Sequence, residues 1–398
     1  MHRLLSSYPT QEGWYYLFLL AFVFTGAILR EINLMLLVGG LMVGPLAYNF
    51  FASWRQLRGI TFRRLLPQGC FARQRQYIQL ELTGKSPNLQ GLQITEKLYH
   101  ADNPGESFVI EATVPWNQSG IPAQASYSVL PLKRGIYRFH ASRLKSARPF
   151  GLWQSQAKLL VDCEWLVWPR LAQVDWQKIS ILCGQAIHDH AEQGRSRLAM
   201  SGDFAGLRPW RLGDHRRLIH WRSTAKRGEL LVKQFDEPAQ ETVAIGVDLW
   251  CEPSAEPESG LRIEQLLAMA GSLIWQQQRR GAQRLHLLIA GKSFQAWTGA
   301  AQRTTCERFL TELALAEAAT SPGLAPGRIS RPGSGTLLVL TGRDVRARRT
   351  AAGKATETAG ERLLRFWESH WPQGRVVLVE VGDPRLTAAF QWIEEPTK

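Results

Sequence analysis

Two uncharged apolar runs close to the N-terminus constrain this chain more than any other feature. Trp14 to Leu29 reads WYYLFLLAFVFTGAIL, and Asn33 to Phe51 reads NLMLLVGGLMVGPLAYNFF. A helix crosses the hydrocarbon core of a bilayer with about 20 apolar residues. The second run reaches that length. The first is shorter, and Tyr15 and Tyr16 extend it into the interface, where aromatic side chains settle. Only Arg30, Glu31 and Ile32 lie between them. So short a connection predicts a hairpin of two transmembrane helices, about 14–30 and 33–51 within an N-terminal region 1–55, with both outer ends on one side. Pro45 and the Gly39-Gly40 pair are tolerated in membrane helices.

Of two other readings of these runs, a signal peptide fails and a buried core hairpin is the lesser alternative. A signal peptide would start earlier, end in a small-residue cleavage site and not be followed at once by a second span. A buried core hairpin rarely holds uncharged runs this long. Arg55, Arg58, Arg63 and Arg64 follow the second run, Arg3 precedes the first, and the tip carries Arg30 alone. By the positive-inside rule both termini face the cytoplasm. The lipid bilayer is therefore the first expected partner. Anionic headgroups also account for part of the formal net charge of +14.

Five cysteines are scattered over 398 residues without a C-x-x-C pair, which argues against a disulfide framework and against a cysteine zinc site. Residues 60–170 read as a β domain. Tyr77–Leu82, Phe108–Val114 and Tyr127–Leu130 alternate apolar and polar residues as half-buried strands do, and Leu159–Cys163 and Trp165–Trp168 are further strand candidates. Short strands separated by turn residues suggest a small sandwich. A linking helix is expected over 173–193, with Trp176, Ile179, Cys183, Ala186 and Ile187 on one face.

From 240 to 390 buried strands alternate with amphipathic helices. The strands are Thr242–Leu249, Leu285–Ala290, Thr336–Thr341 and Arg375–Val381. The helices centre on Ile263–Ile274, Cys306–Leu313 and Leu363–Trp371. That order predicts an α/β, Rossmann-like fold with a largely parallel sheet. Cys251–Gly260 and Ser321–Gly335 read as exposed loops. Neither a G-x-x-x-x-G-K nor a G-x-G-x-x-G motif occurs, and no cofactor is expected.

Residues 194–238 are the densest in chemistry. Between Gly194 and Phe235 ten Lys and Arg stand against three Asp and Glu, with Phe204, Trp210 and Trp221 among them. Arginines interleaved with aromatics read first as a nucleic-acid patch. Asp214, however, sits between Arg211 and the Arg216-Arg217 pair, a position for a carboxylate that accepts bidentate hydrogen bonds. The segment is then a structural clamp or a protein-docking surface, with a nucleic-acid groove the lesser alternative. An enzymatic Asp214/His220 pair is a further alternative, since a carboxylate can orient an imidazole. No nucleophile or metal cluster accompanies it. His188 and His190, two residues apart, do not share a helix face and read as polar surface.

Gly202-Asp-Phe-Ala-Gly-Leu-Arg208, Gly213-Asp214, Arg217-Leu-Ile-His-Trp221, Ser223-Thr-Ala225, Gly228-Glu-Leu230 and Val232-Lys-Gln-Phe235 together resemble the signature of the domain of unknown function 58 family. Arg134-Gly-Ile-Tyr137 and Pro149-Phe-Gly-Leu152 match it as well, with Arg148 where family members usually carry Asp. The resemblance implies paired N-terminal spans, a β domain, the signature and a von Willebrand factor A-like α/β domain. It also implies a bacterial inner-membrane protein that works beside a MoxR-type AAA+ ATPase and other membrane proteins, as an adaptor or scaffold without established enzymatic activity. The residues expected to set the docking surface are Arg208, Gly213, Asp214, Arg217, His220, Trp221, Lys233 and Phe235. Asp214 would anchor the arginines, and His220 and Trp221 would fix the loop.

A-type domains often hold Mg²⁺ through Asp-x-Ser-x-Ser, which suits a hard cation that takes oxygen ligands. Here the stretch is Asp248-Leu-Trp-Cys-Glu252, with Trp250 and Glu252 in the serine positions and Thr341 and Asp344 as the other nearby candidates. The expectation is a degenerate site with no tight Mg²⁺.

Overall fold

The computed structural model describes residues 3–84, 89, 91–115, 123–183, 203–211, 214–236, 242–250, 258–280, 284–319, 335–343, 359–372 and 374–393. Two compact units divide the chain, one built from Met1–Trp168 and the other from Pro169–Ile393.

The first unit opens with a strand, β1 (Arg3–Pro9), ahead of the two apolar helices Gln11–Leu29 and Asn33–Leu57. Both helices are long and apolar enough to cross a membrane, and only 11 % of each apolar stretch is buried. A soluble core helix would show the reverse. Beyond the helices come β2 (Thr61–Leu65), β3 (Cys70–Phe71), β4 (Gln76–Thr83), β5 (Gln93–His100), β6 (Asn103–Thr113), β7 (Ala123–Val129), β8 (Gly135–Ser146) and β9 (Trp153–Trp168). One sheet runs β1-β9-β8-β5-β6 with β3 beside β9, and the other runs β2-β4-β7. Both sheets send apolar side chains into one core. Ile78, Leu80 and Leu82 come from β4, and Ile94, Leu98, Phe139, Leu144 and Val167 from the larger sheet. The strands follow from alternation: on β7 every second side chain from Ala123 to Val129 is buried.

Three features differ from the sequence expectation. The candidates Leu159–Cys163 and Trp165–Trp168 lie on a single strand, β9, whose pairing with β8 shifts register near Phe139. The bulge there reads in sequence as a break. β1 was not expected at all. It pairs antiparallel with β9 from Arg3↔Leu159 to Pro9↔Trp153, so the chain both enters and leaves the helical hairpin from the same folded unit. The third is β5, whose inward positions include Glu96 and His100.

The motif Arg134-Gly-Ile-Tyr137 is a tyrosine corner. The Tyr137 hydroxyl donates to the Lys133 carbonyl (3.0 Å) and accepts from the Lys133 N–H (3.2 Å), while His100 Nε2 meets the Arg134 carbonyl at 2.8 Å. Gly135 sits at φ 119°, where a side chain would be strained and would run into His100.

The motif Pro149–Leu152 forms the turn between β8 and β9 and seats both helices. Asn49, fully buried, accepts from the N–H groups of Leu152 (2.7 Å) and Trp153 (2.8 Å) and donates to the Ala147 carbonyl (3.1 Å). Thr10, the N-cap of the first helix, donates to the Gly151 carbonyl and accepts from the Gly13 N–H. Gly13 packs so close that a Cβ would stand 1.9 Å from the Leu152 carbonyl oxygen. Ser53 and Ser155 meet at 2.9 Å, and Ser146 donates to Gln56. This buried polar seam fixes the base of the helical hairpin to the sandwich.

The second unit is α/β. Its main sheet has β13 (Thr242–Asp248) at the centre, flanked by β14 (Arg284–Ala290) and then β15 (Phe294–Ala300) on one side, and by β16 (Thr336–Thr341) and then β17 (Arg375–Glu380) on the other. All pairings are parallel except β14–β15. Because the strands are covered on both faces, alternate residues feed two cores. Ile245, Val247 and Leu249 pack with helices Glu258–Arg280 and Arg303–Leu315. Ala244, Leu337 and Val339 pack with Leu363, Trp367 and Trp371 on and just beyond helix Ala359–His370. The expected linking helix is described as Trp176–Leu182, and Ile179 and Cys183 join the first of these cores. Ala186 and Ile187 lie outside the described residues, as do His188 and His190. β10 (Ala172–Val174) pairs with β18 (Phe390–Trp392). The remaining pair, β11 (Asp203–Pro209) and β12 (Leu231–Asp236), forms a sheet of its own.

Candidate functional site

The signature stretches, separate in sequence, are consecutive pieces of one hairpin. β11 and β12 pair antiparallel, Arg208 opposite Val232, Leu207 opposite Lys233 and Phe204 opposite Phe235. Between them lie a 3-10 turn, Arg216–Leu218, and the helix Trp221–Arg227. Leu218, Ile219 and Val232 are buried together with Trp210 against them, a small core private to the hairpin.

One ion pair closes it. Arg208 grips Asp214 with two parallel bonds, Nη1 to Oδ2 at 2.7 Å and Nη2 to Oδ1 at 2.6 Å, and the Arg211 N–H donates to Oδ2 at 2.8 Å. This is the bidentate arrangement expected of Asp214, with a different arginine. The strand aims Arg208 at the carboxylate, Arg211 contributes its backbone, and Arg216 and Arg217 face solvent. The Arg208 bonds, then the Arg211 N–H, hold Asp214 below the ordinary carboxylate range. A depressed carboxylate stabilises the fold above its unfolded value, and that contribution is lost as pH falls through the lowered one.

His220 is the N-cap of the helix Trp221–Arg227. Its Nδ1 lies 2.8 Å from Ser223 Oγ and accepts from the Ser223 N–H. The Asp214 oxygens and the His220 Nδ1 therefore each serve a local partner, and no hydrogen bond joins the two among the described residues. Trp221 is 65 % exposed, and Arg216, Arg217 and Arg222 are exposed as well. Lys233 is half-buried on β12. Gly213 and the side chain of Phe235 lie outside the described residues.

A second cluster stands at the carboxyl end of the parallel sheet. Chain connections leave β13 toward β14 on one side and return to β16 on the other, so Asp248 and Thr341 flank the topological switch point, where open α/β sheets bind ligands. Thr341 Oγ1 donates to Asp248 Oδ2 (2.7 Å), and the Trp250 N–H donates to Oδ1 (3.3 Å). Arg343, absent from the sequence expectation, brings Nε to 3.4 Å from Oδ2 and lays its guanidinium 4.4 Å from the centre of the Trp250 ring. Burial raises the Asp248 carboxyl above its ordinary value, with Arg343 the chief opposing influence.

A divalent cation does not fit these residues. It needs several oxygen donors. Among the described residues there, one carboxylate and one hydroxyl face an arginine, and the Trp250 side chain has no oxygen to give. Asp344 and Glu252 lie outside the described residues. Calorimetric titration of the solubilised chain with Mg²⁺ or Mn²⁺ is expected to give no saturable heat. Saturable binding that disappears in Asp248→Ala would overturn this. The sequence signal for Arg343 was faint: an arginine two residues beyond the end of a strand, visible only once β13 and β16 are known to be neighbours.

The family model described as "Protein of unknown function DUF58" matches residues 206–332, which takes in most of the signature hairpin and the first part of the α/β domain. The chain resembles the DUF58 family. The uncharacterized protein YeaD of Bacillus subtilis (strain 168) is 21 % identical over 170 residues, 42 % of this chain and 39 % of YeaD. The match thus spans well under half of that relative. Within the stretch that matches DUF58, the Arg208–Asp214 clamp and the His220 cap give physical reasons for those residue types at that spacing.

Proposed function

We propose that this chain is a membrane-anchored, non-enzymatic adaptor whose signature hairpin docks a MoxR-type AAA+ ATPase during remodelling or assembly of proteins at the membrane. The observation that carries the reading is a division of labour inside the hairpin. Arg208, Asp214 and His220 hold its shape, while Trp221, Arg216, Arg217 and Arg222 face solvent. An exposed aromatic side chain together with exposed arginines on a preorganised support has the composition of a binding hot spot.

Several observations support the anchor. Only 11 % of the apolar stretch of each helix is buried, and β1 before them belongs to the same unit as the strands after them. The arginines beside the helix ends support an inner-membrane protein with both termini cytoplasmic. The strand order, the antiparallel edge and Asp248 at the end of the central strand support reading the α/β domain as von Willebrand factor A-like.

Affinity capture from cross-linked cells tests the proposal. The tagged chain is expected to retain an AAA+ ATPase, and Trp221→Ala and Arg217→Glu to retain at least tenfold less, about 1.4 kcal/mol of binding. Both residues are exposed, so unfolding temperatures should stay close to the parent's. Capture undiminished in both variants would remove the hairpin from the interface. Retention of oligonucleotides that falls steeply with salt would favour a nucleic-acid partner instead.

A further inference from the structure

The lengths of the helices point beyond simple anchoring. The first helix is engaged with the turn Pro149–Leu152 up to Gly13, and the second from Asn49 onward. That leaves sixteen residues of each helix free of hydrogen bonds to the turn, Trp14–Leu29 and Asn33–Tyr48. At 1.5 Å per residue each free stretch is about 24 Å long. The hydrocarbon core of a bilayer is about 30 Å thick. A shortfall of about 6 Å is met either by local thinning of the bilayer or by insertion of the base of the hairpin, and the part of the sandwich bonded to both helix bases is this turn.

The side chains there suit such a position. Phe150 at the tip of the turn is 55 % exposed, and its ring lies 6.2 Å from that of Tyr48, itself exposed. Phe50 meets Trp153 edge-on at 5.4 Å and is exposed on its other side, as is Phe51. Trp14 and Tyr15 stand at the base of the first helix, both exposed. Large aromatic side chains left open to water around the ends of two apolar helices form a belt of the kind that settles at a membrane–water interface. Apolar exposure on this scale is otherwise uncommon on a soluble surface.

We propose that the Pro149–Leu152 turn is a third membrane contact: Phe150, with Tyr48 beside it and the exposed rings of Phe50 and Phe51 following on the same helix, inserts at the boundary between phospholipid headgroups and acyl chains. The sandwich then rides on the bilayer at a fixed height instead of hanging from a tether. The polar seam of Asn49, Ser53, Gln56, Ser146 and Ser155 is what makes this height fixed, because it leaves no flexible linker between helix and sheet. The inference rests on the membrane-anchoring reading above.

The experiment places a photoreactive p-benzoylphenylalanine at one of three exposed sites of the full chain in phospholipid vesicles or native membranes. Leu37, the fifth residue of the second free stretch, reports anchoring. Phe150 reports the proposed contact. Glu164 is the distal control. It lies eleven residues along β9 from Trp153, about 36 Å at 3.3 Å per residue. Lipid adducts identified by intact mass are expected at positions 37 and 150 and not at 164. Adducts at 37 with none at 150 above the level at 164 would overturn the third contact and leave the anchor standing. No adduct at 37 would overturn the anchor and this inference together.

Discussion

Glu96→Ala is expected to destabilise the β sandwich by about 3–5 kcal/mol, the cost of leaving a buried charge without its partner. Arg64 and Glu96 form an ion pair at 2.6 Å with both side chains 2 % exposed. Glu96 also accepts from Ser142 and from the Tyr127 hydroxyl. The other face of the guanidinium lies 4.0 Å from the centre of the Phe139 ring, with Phe62 beyond it. Burial, reinforced by the adjacent carboxylate, pushes the Tyr127 phenol far above its ordinary range, so it remains a donor throughout the working pH range. Removing the carboxylate takes the acceptor from the arginine, the serine and the phenol together, and leaves the guanidinium only its bond to Ser142 Oγ at 3.2 Å. The unfolding temperature of the full chain in detergent should fall by on the order of 10 °C. The double variant Arg64→Met/Glu96→Leu should recover the part of that loss due to the uncompensated guanidinium, because apolar residues of similar volume replace a buried ion pair at little cost, while Ser142 and Tyr127 stay without their acceptor. A single variant that melts with the parent would show that the pair is solvated and the argument wrong. A double variant no better than the single would show that the cluster has a structural role apolar packing cannot replace.

That cluster also explains which strands were readable in the sequence. β4 and β7 bury apolar side chains at every second position, so alternation gives them away. β5 has the same alternation in burial, but its inward positions are Ile94, Glu96, Leu98 and His100. A buried charge in the middle of a strand looks like surface until its partner, thirty-two residues away, is known. β15 was missed for the opposite reason: it is an edge strand with one covered side, and only Phe294 in it is buried. The apolar helices and the central strands β13, β14 and β16 were legible because each is uniform in character over its whole length. In the signature the sequence showed a carboxylate among arginines. It did not show which arginine, because the β11 backbone rather than proximity in sequence selects Arg208 over Arg211, Arg216 and Arg217. The tyrosine corner and the Pro149–Leu152 turn were visible as motifs, yet their work consists of contacts to Lys133, Asn49 and Thr10 that no local pattern discloses.

Arg343→Met should be more damaging than Asp248→Asn, although the two residues form one pair. The Asp248 side chain is fully buried, whereas Arg343 is 29 % exposed. Losing Arg343 therefore leaves a carboxylate that cannot reach water, worth about 3–5 kcal/mol at neutral pH. Losing the charge on Asp248 leaves an arginine that can turn outward and an amide that still accepts from Thr341, so about 1–2 kcal/mol is expected. The pH dependence carries the sharper signature. The folded carboxyl already lies above its ordinary value through burial, opposed first by Arg343. A raised carboxylate binds its proton more tightly in the native state. The stability it contributes is complete below the unfolded value near 3.9 and is lost as pH rises through the folded one. Without Arg343 the folded value rises further, and the window of lost stability extends upward toward neutrality. Thermal unfolding followed by tryptophan fluorescence should then show Arg343→Met recovering relative to the parent as pH is lowered from 8 to 4.5. Asp248→Asn, with nothing to titrate at this position, should instead lose the parent's dependence. Parallel curves for parent and Arg343→Met would mean that the guanidinium is not the counterion of Asp248, and the switch point would then have room for a cation from solution.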